Sequence, residues 1–116
     1  MTPRAFTFRF GLVTMLFDGF VDSVAQARGA MRSGNIEAKG RAIGRAVSIV
    51  NEGLKGTLNL RDGGKLAADL DGLYAYITLR LTHANLRNDE AALVECNQLI
   101  EPVRSAWAGI ADKAPT

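Results

Sequence analysis

His83 and Cys96 are the only histidine and the only cysteine of the sequence, so covalent, redox or metal chemistry would have to start from them. A di-metal site in a helical protein needs a Glu-x-x-His pair on inward positions, and a haem needs axial ligands. Three residues before His83 stands Arg80, which is no ligand. Cys96 lies in an apolar stripe with no histidine-rich element to lower its thiol pKa, so it reads as a core residue and not a nucleophile. Asp18, Asp22, Asp69 and Asp71 include spacings that could share a helix face, but helical carboxylate pairs without a buried setting are solvated and supply no general base. Gly63-Gly64 follows a helix end rather than a strand and lacks the lysine-plus-hydroxyl pair of a phosphate-binding loop. The sequence therefore reads as a non-enzyme with no cofactor and no metal.

Composition narrows the partners. The 116 residues carry 14 Lys+Arg against 12 Asp+Glu, a net charge of +2, and the basic residues are scattered, which argues against nucleic acid. No run of eighteen apolar residues escapes a charge, so no membrane insertion is expected. The start, Met1 to Phe10, is a poor signal peptide, and one unpaired cysteine suits a reducing compartment, so a cytoplasmic protein is expected. Yet the mean hydropathy is +0.03, high for a chain with 22% charged residues. Some apolar surface should be waiting for a partner.

Helical periodicity organises the chain as one domain, 1–116. A first helix over about 6–33 carries the stripe Phe10, Val13, Phe17, Phe20, Val24, Ala27 and Met31, and Gly34-Asn35 supplies a left-handed stop and the next cap. A second helix over about 36–57 buries Ile36, Gly40, Ile43, Val47, Val50 and Leu54. After the loop Leu58–Gly64, a third over about 65–86 turns Leu66, Leu70, Leu73, Ile77, Leu81 and Ala84 inward. Asn88 is read as the cap of a fourth, over about 89–110, with Leu93, Cys96, Ile100, Val103, Trp107 and Ile110 inside and Pro102 expected to kink it or free a carbonyl near Gln98. Residues 111–116 read as a frayed tail. Four amphipathic helices with short connections predict an all-α fold, an antiparallel up-down-up-down four-helix bundle.

Apolar residues also fall outside these stripes. Phe8, Leu12 and Met15 sit at outer positions of the first helix with Leu16 flanking the seam, and Tyr76, Leu79, His83 and Leu86 lie off the inward stripe of the third. A solvated helix would carry charges there. These positions predict a contiguous protein-binding groove on two helices, which also takes in Gly19. The many helical glycines each cost about 0.5 to 1 kcal/mol relative to alanine, and suggest either close helix approach at Gly40 and Gly44 or a soft bundle that firms up on binding.

Ordered runs of residues carry a family resemblance. Met15-Leu16-Phe17-Asp18-Gly19-Phe20, Gly63-Gly64-Lys65-Leu66-Ala67-Ala68-Asp69-Leu70, Leu73-Tyr74-Ala75-Tyr76-Ile77, Arg80 to Asp89 and Pro102-Val103-Arg104-Ser105-Ala106-Trp107 together resemble the FliS family of flagellar export chaperones, over about residues 12–110. The resemblance implies a cytoplasmic helical bundle that binds the disordered C-terminal segment of flagellin, prevents premature polymerisation and assists delivery to the export gate of the flagellar type III apparatus. It also gives the groove an occupant: an amphipathic tail that trades disorder for contact area. The family enters its first helix through a Ser-Pro cap preceded by a tyrosine-bearing arm; here Phe8-Arg9 stands at the cap and no tyrosine precedes Tyr74. Phe6, Phe8 and Phe10 are expected either to fold back as a substitute or to drive self-association when flagellin is absent. The alternative reading is a helical adaptor or regulatory protein that binds another amphipathic helix.

Overall fold

A computed structural model describes the backbone of residues 3–112 and the side chains of residues 11–110. Helix α1 spans Pro3–Ser33, α2 Ile36–Ser48, α3 Gly64–Arg87 and α4 Glu90–Asp112, and a π turn, Ile49–Leu54, extends α2. Among the described residues there is no strand. Helix α1 packs on α2 and α4, and α3 packs on the same two, so α1 and α3 stand on one diagonal of a four-helix bundle and α2 and α4 on the other. The stop and cap between α1 and α2 form as the residue types require. Gly34 takes φ +73°, and the Asn35 carboxamide oxygen accepts from the Ala38 N–H at 3.1 Å.

The core follows the stripes with instructive exceptions. Val13, Phe17, Phe20, Val24 and Ala27 of α1 are buried against Ile43, Ala46, Val50 and Leu54, Ile77, Leu81 and Ala84, and Leu93, Cys96 and Ile100. Full burial of a Leu, Ile or Phe side chain stabilises by about 1.5–3 kcal/mol, so this column holds the bundle together. Ile36 and Leu66, expected inside, are 75% and 70% exposed. Ile36 opens α2 just after α1 has ended, and Leu66 and Ile110, the latter also exposed, stand at the end of the bundle where the α2 run has stopped. Tyr74 takes the buried place on α3 that the stripe assigned to Leu73, which packs only at the edge.

Three further expectations change. Asn88 is the C-cap of α3, in the left-handed conformation at φ 52°, and Asp89 caps α4 by accepting from the Ala92 N–H at 3.3 Å. Both side chains can cap, but asparagine tolerates the left-handed region better. A Cβ on Gly40 or Gly44 would meet nothing within 4 Å, so neither marks a close helix approach. Helix α4 runs through Pro102 to Asp112, and positions 113–116 of the expected frayed tail lie outside the described residues.

Candidate partner-binding surfaces

On α1, Met15 is 71% exposed and Leu12 is also exposed, whereas Leu16 and Gly19 are half-buried because they face the π turn. The side chain of Phe8 lies outside the described residues, as do those of Phe6 and Phe10. On α3, Tyr76, Leu79, His83 and Leu86 recur at intervals of three and four and form one outward seam, with Leu79 65% and Leu86 77% exposed. Carboxylates of α4 and its cap hold the polar tips of this seam. The Tyr76 hydroxyl donates to Glu95 Oε2 at 2.8 Å, Arg80 Nε donates to Glu95 Oε1 at 2.6 Å, and His83 Nε2 lies 3.3 Å from Asp89 Oδ2. The hydrogen bonds from Tyr76 and then Arg80 keep the Glu95 carboxyl below its ordinary pKa, and that from Arg32 does the same for Glu90.

The two seams are not joined. Because α1 and α3 stand across a diagonal and meet only through side chains turned into the core, the outward Met15 and Leu79 cannot line one trough, and the structure replaces the single expected groove with two separate apolar strips. An up-down order of helices already forces this: the first and third helices of such a bundle are never neighbours.

A third apolar surface was missed from sequence. Where α1 and α3 begin and α4 ends, a cavity of about 460 Å³ opens between Val13 and Phe17, Thr57 and Leu58, Leu66, Leu70 and Tyr74, and Pro102, Val103, Ala106, Trp107 and Ile110. None of these residues is charged. Its origin is a difference in helix length: the helical run of α2 and the π turn ends near residue 56, so the stripes of the other three helices continue past it with only the loop opposite. Leu66, Val103, Trp107 and Ile110 were assigned to a core; at this end they line a mouth. The stripes hold six positions on each of the last three helices and seven on the first, so a count of apolar layers carries no signal of the shortfall.

Potential chemistry is correspondingly sparse. Burial pushes the Cys96 thiol up to about 12, and its Sγ lies 3.8 Å from the Ile77 carbonyl oxygen, so it is protonated at neutral pH. Asp18 pairs with Arg104 at 2.9 Å and Asp69 with Lys65 at 2.7 Å, which makes them solvated partners of basic side chains. Among the described residues no three His, Cys, Asp or Glu converge as metal ligands, and no helix is long and apolar enough to cross a membrane.

Comparison with known proteins gives the family. The family model described as flagellar protein FliS matches residues 9–114. The chain belongs to the FliS family. It is 41% identical over 103 residues to the flagellar secretion chaperone FliS of Salmonella typhimurium, covering 89% of this chain and 76% of that one. To the flagellar secretion chaperone FliSB of Pseudomonas aeruginosa it is 43% identical over 99 residues, 85% of this chain and 78% of that one. FliS of Bacillus subtilis is 31% identical over 96 residues, 83% and 70% of the two chains. The FliS match begins before Val13, the first core residue among the described residues, and ends beyond Ile110, so it takes in both strips and the whole wall of the cavity.

Proposed function

We propose that this protein is a cytoplasmic export chaperone that binds the disordered C-terminal segment of flagellin, keeps it from polymerising and assists its delivery to the flagellar type III export apparatus, whose gate is a further partner. The observation that carries this reading is the arrangement of apolar surface. Two strips lie on diagonal helices and a cavity opens at one end, so no single rigid helix touches all three. A disordered, amphipathic chain can, by wrapping and folding as it binds. Leu12 and Met15 form one contact strip, Tyr76, Leu79, His83 and Leu86 a second, and the cavity is the deepest anchor. Ordering such a segment costs entropy, so affinity requires a large apolar footprint, which three surfaces supply.

Calorimetry with a peptide of the flagellin C-terminal segment tests this. Binding with a strongly negative heat-capacity change is expected. Absence of binding, or binding with no such change, overturns the reading.

A further inference from the structure

The π turn links two of these surfaces through a reciprocal pair of glycine notches. A Cβ on Gly53 would come within 2.8 Å of Leu16 Cδ2, and one on Gly19 within 3.2 Å of Ile49 Cδ1. Each element thus receives a branched side chain of the other where a glycine leaves room, and the rotation of the turn about α1 is fixed. The sequence pattern explains why a wide turn belongs here. Ala46, Val50, Leu54 and Leu58 recur every four residues, a spacing that drifts by about 40° per step in an α-helix. A turn closed by i→i+5 bonds rotates less per residue and brings the run back into line. Ala46, Val50 and Leu54 are fully buried, and Leu58 packs on the edge of the core. Immediately after the notch, the Leu54 carbonyl accepts from the Thr57 N–H at 3.1 Å and from its hydroxyl at 2.7 Å. Thr57 and Leu58 then form one wall of the end cavity.

We propose that the space shared by Leu16 and Gly53 is a positioning device for the cavity: because glycine leaves room for the leucine, the π turn sits close enough to α1 to keep Leu58 in the cavity wall, so Leu16 and Gly53 govern partner binding without lining the cavity themselves. This rests on the reading that the cavity takes the partner segment, but its test does not depend on that reading alone. Trp107 is the only tryptophan, it is half-buried, and it lines the cavity, so its fluorescence reports there.

The decisive variants are Gly53→Ala and the pair Leu16→Ala/Gly53→Ala. In Gly53→Ala only the flexible end of Leu16 has to move, so the fold survives. Titration with the flagellin C-terminal peptide is expected to shift Trp107 emission to shorter wavelength in the wild type. Gly53→Ala should require roughly tenfold more peptide, and Leu16→Ala/Gly53→Ala should return to within about threefold of the wild type. A defect from lost packing alone would worsen when Leu16 is truncated, so the rescue is the signature of the shared space. Acrylamide quenching of Trp107 without peptide gives the second readout: faster quenching in Gly53→Ala, reversed in the double variant. If the peptide binds the wild type and Gly53→Ala alike, or if Leu16→Ala fails to rescue, the positioning role is overturned. If the peptide binds neither protein, the partner reading fails, and quenching alone decides whether the notch sets the cavity.

Discussion

The two ends of the bundle are governed by different physics. At the end carrying the turns 34–35 and 88–89, the chain is sealed by polar contacts. The Asn35 N–H donates to the Ala30 carbonyl at 2.9 Å and the Asp89 N–H to the Ala84 carbonyl at 3.0 Å, which satisfies the last turns of α1 and α3. Lys39, almost fully buried, donates to the Asn85 carbonyl and to Asn88 Oδ1, both at 3.1 Å, and the Arg32 guanidinium makes two hydrogen bonds to Glu90, at 2.6 and 3.2 Å. At the other end one helix stops short, the loop 57–63 stands in for it, and apolar residues from three helices meet without closing. One end spends its residues on specifying the turns; the other leaves hydrophobic area unsatisfied. The function proposed above needs both, because a disordered partner supplies no scaffold of its own.

The contrast can be broken from the middle outward. Val50→Asp, placing a charge at a fully buried position beside the π turn, is expected to unfold the protein, lost as the cooperative transition in far-UV circular dichroism. Leu81→Ala should cost about 2–5 kcal/mol in chemical denaturation, since the cavity it leaves lies in the closed part of the core. Lys39→Met at the sealed end should cost about 1–3 kcal/mol, because the Asn85 carbonyl and Asn88 amide lose their donor; a change under about 0.5 kcal/mol would show the polar seal to be ornamental. At the open end and on the strips the effect should reverse in kind. Leu66→Asp, Met15→Asp and Leu79→Asp are expected to change stability by no more than about 0.5 kcal/mol while weakening or abolishing binding of the flagellin peptide. If they unfold the protein instead, these residues are core.

The smallest expected effect is electrostatic. Glu90 at the sealed end and Glu95 beside the α3 strip both have carboxyl pKa values held below the ordinary 4.5 by donors from neighbouring helices. Their contribution is complete above the ordinary value and is lost as the pH falls through it towards the lowered one. The melting temperature should therefore decline below about pH 4.5, and Glu95→Gln should flatten part of that decline; these groups are exposed, so the change is a few degrees at most.

Sequence periodicity carried the helix count, the buried column from Val13 to Ala27 and the Gly34-Asn35 turn, because each depends on residues close together in the chain. It lost accuracy where the answer depends on a neighbour. Ile36, Leu66 and Ile110 obey the helical spacing but stand at helix ends, where α1 or the α2 run has already stopped. Asn88 and Asp89 both have capping side chains, and only the path of the chain decides that the first ends α3 and the second opens α4. The strip on α3 was legible as excess apolar character, as was that on α1, yet their union into one groove was not, since it required knowing which helices lie across the diagonal. Close helix approach at Gly40 and Gly44 is one of two readings the glycines leave open in the sequence, whereas the notches are at Gly19 and Gly53, where an isoleucine or leucine of the neighbouring element arrives.

Cys96 also has a practical consequence. With its sulfur shut inside the helices and its proton held to about pH 12, it should ignore maleimides and disulfide reagents under native conditions. Single cysteines introduced at exposed positions such as 66, 79 or 110 can then carry spin labels or crosslinkers on an otherwise unaltered background, and each would map the path of a captured chain over the surface.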